Sequence, residues 1–174
     1  MSRTKRQKQK ESTRKHLIEI AIEQFAQNGF TTTPTSDIAK AAGVSHGTIF
    51  AHFSTQAALI IAVVEEVGFK IASRLHELAG LSDRLIDVLE AHIEGLMEFE
   101  GFYTRLIIER RLLPREAQHA SIGIQSAISF HISQVAQREL ELGKIRNFPI
   151  HLIFNTWISL VHYYLTNNDL FAPQ

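Results

Sequence analysis

The sequence predicts an all-α protein in which a small three-helix unit at the N-terminus precedes a larger helical domain. Three observations support this fold class. Apolar residues recur at helical spacing along the chain, glycines and prolines separate the periodic segments, and no alternating strand pattern competes. With 174 residues, 45% of them hydrophobic and 21% charged, the composition is that of an ordinary globular protein. We expect two units, residues 1–54 and residues 55–174.

The first two helices are delimited by glycine and proline. The first is predicted over Lys10–Asn28, where an amphipathic stripe is followed by Gly29 as the C-terminal stop. For the second helix, Thr33 is one candidate N-cap, because it would place Pro34 at the first helical position, where the missing N–H costs nothing. Thr35 is the other candidate cap.

A third, short helix is predicted over Ser45–Phe53. Ser45 is a suitable N-cap, and Ile49 and Phe53, four residues apart, share the face that turns inward. Five further helices follow, delimited by caps, glycines or prolines. They cover residues 55–78, a segment capped by Ser82 that carries Leu85 to Phe99, then Phe102–Leu113, Arg115–Leu142 and Pro149–Thr166.

The second and third helices form a helix-turn-helix, in which Gly43 suits the tight turn. The second helix of such a motif lies in the DNA major groove with its early residues at the base edges. Those early positions hold Ser45, His46, Gly47 and Thr48. We expect His46 and Thr48 to read bases, since imidazole and hydroxyl groups can hydrogen-bond to base edges, and Gly47 to permit close backbone approach. Alternatively, Ser45 is only a cap and His46 only an exposed surface histidine.

The net charge of zero conceals an asymmetry. Residues 1–56 contain eight lysines and arginines against four acidic residues, a net charge of +4, and the remaining residues carry −4. Seven of those eight basic residues lie within residues 1–15. A positive field at the helix-turn-helix end would neutralise DNA phosphates. The alternative is a solvated, disordered basic tail without a partner.

No enzymatic site is predicted. Cysteine is absent, which excludes disulfides and thiolate metal sites. The nine histidines form no His-x-x-x-His pair, and neither a glycine-rich phosphate loop nor a Gly-x-Ser-x-Gly elbow occurs. We therefore expect no catalytic residue, metal ion or cofactor, and we interpret Glu109–Arg111 as a solvated helix surface. Without a signal peptide or an apolar run of about 18 residues, we expect a cytoplasmic protein with no membrane partner.

The segment from Phe30 to Leu59 contains a set of residues in a specific order and spacing. They are Asp37-Ile38-Ala39, Ala42-Gly43-Val44-Ser45, Gly47-Thr48-Ile49-Phe50, His52-Phe53 and Leu59. Over about thirty residues this segment resembles the DNA-binding signature of the TetR family of bacterial transcriptional repressors.

The resemblance implies further DNA contacts around the recognition helix. Thr35, Ser36, His52 and Gln56 are phosphate-contact candidates by position, although each could instead be only a cap or a helix-end residue. Phe50 belongs to the same DNA-binding set but stands where the family usually has tyrosine, and Gln56 stands where it usually has lysine. A hydroxyl and a charge toward phosphate are therefore missing. These departures bear on the strength of operator binding and not on the fold.

The resemblance also implies a helical ligand-binding and dimerisation domain after the DNA-binding head. A small effector in a pocket among the middle helices would release a double-stranded DNA operator. Apolar or aromatic walls with a few polar groups suit such a pocket, and mostly neutral walls favour a hydrophobic effector. The candidate lining residues are His92, Phe99, Tyr103, Ile107, Gln125 and Trp157. The alternative for each of them is ordinary core packing.

The last helix is apolar nearly all round, which predicts a homodimer in which a partner subunit covers the side that its own domain leaves free. One short recognition helix also reads too few bases, which favours a two-fold dimer on a palindromic site. A polar stripe on this helix could face solvent, form the rim of the two-fold interface or line the ligand cavity. It consists of His151, Asn155, Ser159, His162 and Thr166.

Two functions of other classes remain open from the sequence. One is a sequence-tolerant DNA-binding or architectural protein without an effector, which the basic tail and the uncharged Gln56 favour. The other is an α-helical enzyme or carrier with a vestigial DNA-binding head, which Phe50 would fit. The leading hypothesis is a ligand-responsive repressor.

Overall fold

The computed structural model describes residues 4–79 and 84–171, and within those ranges the regular structure is entirely helical. The all-α prediction is confirmed. The α-helices are α1 (Lys5–Asn28), α2 (Thr35–Ala41), α3 (His46–His52), α4 (Gln56–Ala79), α5 (Leu85–Met97), α6 (Glu100–Glu109), α7 (Arg115–Glu141) and α8 (Ile150–Thr166). Short 3-10 turns follow α6, at Arg110–Leu112, and α8, at Asn168–Leu170.

Helix α1 begins at Lys5, five residues before the predicted start. The hydroxyl of Thr4 caps it by accepting a hydrogen bond from the backbone N–H of Gln7, at 3.4 Å. This cap satisfies one of the free N–H groups of the first turn, and the long basic side chains that follow are good helix formers. From Thr4 onward the basic segment is therefore the exposed start of α1 and not a disordered tail.

Helix α2 begins at Thr35, with Pro34 in the N-cap position and no side-chain cap. The predicted cap at Thr33 is wrong because its buried hydroxyl donates to the carbonyl of Gly29, at 2.6 Å, and so closes the turn after α1. Thr35 does not cap α2 either, since it is the first helical residue and its side chain contacts His46.

The third helix and the turn before it agree with the sequence prediction. Gly43 adopts the left-handed conformation, with φ of +66°, that the tight turn requires. The Ser45 hydroxyl accepts a hydrogen bond from the backbone N–H of Thr48, at 3.2 Å, and so caps α3. Ile49 and Phe53 are both buried. The head is therefore assembled by the cap, turn and apolar spacing that the sequence contains.

The later helices lie where the sequence places them, apart from their ends. The segment predicted as one helix over Phe102–Leu113 is α6 followed by a 3-10 turn, and Pro114 is the N-cap of α7. Because the residue before proline is disfavoured in the α conformation, the helix cannot run up to Pro114. The predicted cap at Ser82 lies outside the described residues.

A continuous apolar core joins the N-terminal helices to the rest of the chain. Helix α1 packs against α4 and α6. At the centre of this contact the ring of Phe30 lies 4.8 Å from that of Phe25 on α1 and 5.1 Å from that of Phe102 on α6. The head therefore packs directly against α6, so a shift of α6 would displace the residues of the head that contact it.

Among the described residues no single helix is long and apolar enough to cross a membrane. The two helices His46–His52 and Gln56–Leu78, which are bent by 66° relative to each other, meet the criterion for a membrane span when they are taken together, by length and composition alone.

Candidate nucleic-acid interface and internal cavity

The exposed face of α3 carries His46, whose ring is held on two sides. Its Nε2 atom lies 2.9 Å from the hydroxyl of Thr35 at the start of α2. The ring also makes a T-shaped contact with that of the half-exposed Phe50, with ring centroids 5.0 Å apart and planes at 76°. An exposed side chain fixed by a hydrogen bond and an aromatic contact loses little conformational freedom on binding a partner.

The first turn of α3 presents small and polar groups. The hydroxyls of Ser45 and Thr48 lie 2.8 Å apart, in addition to the capping bond that Ser45 makes. At the exposed Gly47, an added Cβ would have only the Ser45 Oγ atom within 4 Å, at 3.9 Å. The surface at Gly47 is therefore open, which permits another molecule to approach the backbone closely.

The phosphate-contact candidates differ in how free their polar groups are. Ser36 is exposed, with its hydroxyl 3.4 Å from the Asp37 carboxylate. Thr35 is buried, and its hydroxyl faces His46. The amide of the exposed Gln56 donates to the backbone carbonyl of Thr33, at 3.1 Å, and so fixes the start of α4 against the turn before α2.

A basic groove runs between the start of α1 and the end of α3. It has a volume of about 760 Å³ and is lined by Lys5, Arg6, Gln9, Lys10, Thr13, Ala51 and His52. Partial burial lowers the pKa of His52, and the charges of Lys10 and Arg14 lower it further. The cationic groups of α1 therefore act on the end of α3, and together these two surfaces suit a phosphate backbone.

A second concave site lies among α6, α7 and α8, with a volume of about 230 Å³. The structure brings three of the predicted lining residues together here, namely Tyr103, Ile107 and Gln125. The rest of the lining was not predicted. It consists of Leu106, Arg110, Ser121, Ile158 and His162.

Hydrogen-bonding groups cover one wall of this cavity. The hydroxyl of Tyr103 lies 3.0 Å from Nε2 of His162 and also interacts with the Gln125 side chain. Burial raises the pKa of Tyr103. Burial lowers the pKa of His162, and the positive charge of Arg110 lowers it further. Tyr103 and His162 are therefore neutral at pH 7 and can act as hydrogen-bonding partners.

The other three predicted lining residues lie elsewhere. His92 is fully buried, and the indole N–H of Trp157 donates to its Nδ1 atom at 2.9 Å. Burial and the nearby His162 lower the pKa of His92 to about 4. Trp157 lines a separate apolar groove of about 200 Å³ between α5 and α8. Phe99 is half-buried, with the ammonium group of Lys70 5.9 Å from its ring centre.

Each cavity residue in three of the helical segments lies three or four positions from another, and this helical spacing could have identified most of those that were not predicted. Tyr103, Ile107 and Arg110 are separated by four and three residues and therefore share one face of α6. The pairs Ser121 with Gln125 and Ile158 with His162 have the same four-residue spacing. Of the polar stripe on α8, His162 lines the cavity, whereas its other four members are exposed.

Glu109 corrects the prediction of a solvated surface at the end of α6. Arg111 is exposed as expected, but Glu109 is buried. Its Oε2 atom accepts hydrogen bonds from the backbone N–H and the hydroxyl of Thr31, at 2.9 Å and 2.8 Å. Thr31 belongs to the turn between α1 and α2, so Glu109 ties the end of α6 to the head.

Proteins of known sequence and structure share this arrangement. Residues 17–63 match the family described as bacterial regulatory proteins, tetR family. The HTH-type transcriptional regulator AcrR of Shigella flexneri is 32% identical over 188 aligned positions, which cover 100% of this chain and 85% of that protein. An HTH-type transcriptional repressor of Mycobacterium tuberculosis is 32% identical over 78 positions, or 45% of this chain and 39% of that protein.

The fold is shared with solved structures at lower identity. A TetR-family transcriptional regulator from Agrobacterium tumefaciens matches with a TM-score of 0.81 and 16% identity, covering 94% of this chain and 90% of that chain.

A helix-turn-helix head on a helical domain with an internal cavity defines a DNA-binding transcriptional regulator. The similarity to AcrR, which extends along the whole chain, is more specific. Together with the family match over residues 17–63, it shows that the chain belongs to the TetR family. Its relatives are transcriptional regulators and not enzymes, which removes the enzyme alternative. The Mycobacterium tuberculosis relative is named a repressor, which supports a repressor role.

Proposed function

We propose that this chain represses transcription by binding a palindromic DNA operator as a homodimer, and that a small effector in the α6–α8 cavity releases it. Residues 1–54 act as the DNA-binding unit and residues 55–174 as the regulatory and dimerisation unit. The observation that carries the proposal is the exposed first turn of α3 beside the basic groove of α1. Base-reading groups and phosphate-neutralising groups thus lie on the same end of the molecule.

Base reading is assigned to the start of α3. His46 and Thr48 contact base edges, while Ser45 and Gly47 let the helix approach them closely. Phe50 helps to hold the His46 ring in place through the contact between the two rings.

Phosphate binding is assigned to the flanks of α3. Ser36 and His52 are the side chains with exposed or groove-facing positions, and Thr35 and Gln56 act mainly by positioning His46 and the start of α4. The lysines and arginines of the first turns of α1 supply the charge that Gln56 lacks.

Dimerisation is assigned to α8, whose outer side exposes several large apolar residues. Leu160, Tyr163 and Tyr164 are each about half exposed, at 49%, 52% and 49%. An apolar surface of this kind is a common mark of a protein interface. A two-fold dimer would also place two copies of α3 on successive half-sites of a palindrome.

Coupling between the cavity and the DNA-binding head is assigned to the end of α6, because two neighbouring residues there contact different sites. Arg110 lines the cavity, whereas Glu109 holds Thr31 in the turn between α1 and α2. A ligand that moves the 3-10 turn after α6 would therefore move a contact of the head. It releases DNA only if it binds the released state more tightly than the DNA-competent state.

An architectural DNA-binding role is the second candidate, favoured by the uncharged and internally bonded Gln56. Selection of bound duplexes from a random DNA pool by the purified chain separates the two. The repressor account predicts recovery of one palindromic sequence. Enrichment without a shared sequence would favour the architectural role, and no retention at moderate salt would contradict both.

A further inference from the structure

We propose that the ligand of the α6–α8 cavity is a small amphiphilic monocarboxylate whose carboxylate binds the guanidinium of Arg110. This inference names the effector class of the proposed function and depends on that function only for the release of DNA. The binding step itself belongs to the cavity and can be measured without DNA.

The guanidinium of Arg110 lacks a carboxylate partner in the described ranges, residues 4–79 and 84–171. None of the ion pairs there includes Arg110, and the carboxylate of its neighbour Glu109 accepts hydrogen bonds from Thr31. Arg110 is half-buried and lines the cavity. A partly desolvated guanidinium favours an anion, and its planar fork matches a carboxylate in two parallel hydrogen bonds.

The other polar groups of the lining are neutral, so Arg110 supplies its formal charge. The lining contains no aspartate, glutamate or lysine, and burial together with Arg110 lowers the pKa of His162. Ser121 and Gln125 offer hydroxyl and amide donors to the oxygen lone pairs that Arg110 leaves free. One positive charge surrounded by neutral donors is suited to one negative charge.

The apolar lining residues and the volume of the cavity indicate the non-carboxylate part of the ligand and its size. Leu106, Ile107 and Ile158 form an apolar wall that would bury a hydrocarbon body. The cavity volume of about 230 Å³ lies below the range of roughly 300–1,000 Å³ common for small-molecule pockets, which favours a small ligand. The sequence favours a hydrophobic effector, and an effector without any anionic group would leave the guanidinium of Arg110 without a counter-charge.

Calorimetry with matched acids and amides tests this inference. The probes are phenylacetate and hexanoate, each compared with its neutral amide, phenylacetamide and hexanamide. We expect the acids to bind more tightly than the amides. Arg110→Gln should weaken acid binding about ten- to hundredfold and leave amide binding nearly unchanged, because it removes a charge-assisted hydrogen bond. Arg110→Lys should retain part of the acid affinity, because the charge remains but the fork is lost.

Arg111→Gln is the matched control, since it removes the same charge from the adjacent, exposed position. It should leave acid binding unchanged, and thermal melting of each variant verifies folding. The inference is overturned if the amides bind as tightly as the acids, if neither acid binds at millimolar concentration, or if Arg110→Gln and Arg111→Gln behave alike. Recovery of a palindromic DNA site in the separate selection experiment would leave the proposed repressor role standing even then.

Discussion

At the scale of single residues, two histidines lie in opposite environments, one exposed and one buried, and we expect them to act differently. His46 is exposed on α3 and is held by Thr35 and Phe50, so it presents its ring in a fixed orientation. His92 is buried, accepts a hydrogen bond from Trp157 at Nδ1, and has no partner at Nε2 among the described residues. We propose that the first reads DNA, and we expect the second to make the surrounding helical domain sensitive to acid.

Replacement of His46 by alanine should relax base preference. A good base contact discriminates by about 1–3 kcal/mol, so the ratio of operator to random-sequence affinity should fall about five- to hundredfold. Competition binding against random DNA measures this ratio. Lys8→Ala, at an exposed basic position on α1, should instead weaken all sequences about equally. Unchanged selectivity in His46→Ala would exclude this residue from the reading role.

Acidification should destabilise the protein through His92. Its pKa is lowered from 6.5 to about 4, so between these values the unfolded chain binds a proton that the folded chain does not. Stability is therefore lost as the pH falls through this window, by about 3 kcal/mol from His92. Urea unfolding between pH 7 and pH 4 measures the loss.

The variant His92→Gln keeps an acceptor for Trp157 and removes this titration. Its stability should therefore fall less steeply with acid than that of the parent chain. His119→Gln, at an exposed position on α7, is the control and should retain the parent's pH dependence. An equally steep loss in His92→Gln would refute the assignment.

At the scale of elements, the joint between α6 and the head is the main structural feature. The turn after α1 depends on Gly29, whose backbone has φ of 87° and ψ of 163°. Residues other than glycine are sterically disfavoured in this conformation. An added Cβ at Gly29 would overlap the Oε1 atom of Glu109. The backbone of this turn and the buried carboxylate of α6 are thus fitted to each other.

Gly29→Ala should lower the free energy of unfolding by about 2 kcal/mol or more, because backbone strain adds to the clash with Glu109. Gly123→Ala on α7 is the control, since an added Cβ there has no neighbour within 4 Å. It should be stabilising by about 0.5–1 kcal/mol, the difference in helix propensity. Equal stability of the two variants in urea would show that the turn is not strained.

The helices could be predicted from sequence because their signals are local. Ser45, Gly43 and the inward pair Ile49 and Phe53 define α3 and its turn without reference to the rest of the chain. The start of α2 was misplaced because the Thr33 hydroxyl bonds to the carbonyl of Gly29, an interaction that competes with capping.

The sites were less accessible to prediction because they depend on contacts distant in sequence. Glu109 was interpreted as solvated, although its partner Thr31 lies 78 residues away. Three of the six predicted cavity residues meet at one site, but His92 is directed to Trp157 instead. Arg110 was not predicted to line the cavity for the same reason, since the cavity forms only where α7 and α8 pack against α6.

At the scale of the whole molecule, the apolar side of α8 determines the assembly that we propose. Tyr163 packs against the rings of Tyr164 and Phe171, and each of the three side chains remains about half exposed in the single chain. Covering it with a second copy would remove apolar surface from water and bring two DNA-binding heads together.

Tyr163→Glu should weaken the dimer about a hundredfold, because it places a charge in an apolar interface. Phe69→Glu is the matched control, since Phe69 is 70% exposed on α4. Analytical ultracentrifugation should show dissociation for the first variant and not for the second. If dissociation follows only from Phe69→Glu, the interface lies on α4 and not on α8.

The most direct test of a dimeric, palindrome-reading repressor compares the affinity of the chain for its selected DNA site with that for one half of the site. The account predicts two chains on the full site and binding at least about a hundredfold tighter than to the half-site. Equal affinity for the two duplexes, or one chain on the full site, would contradict it.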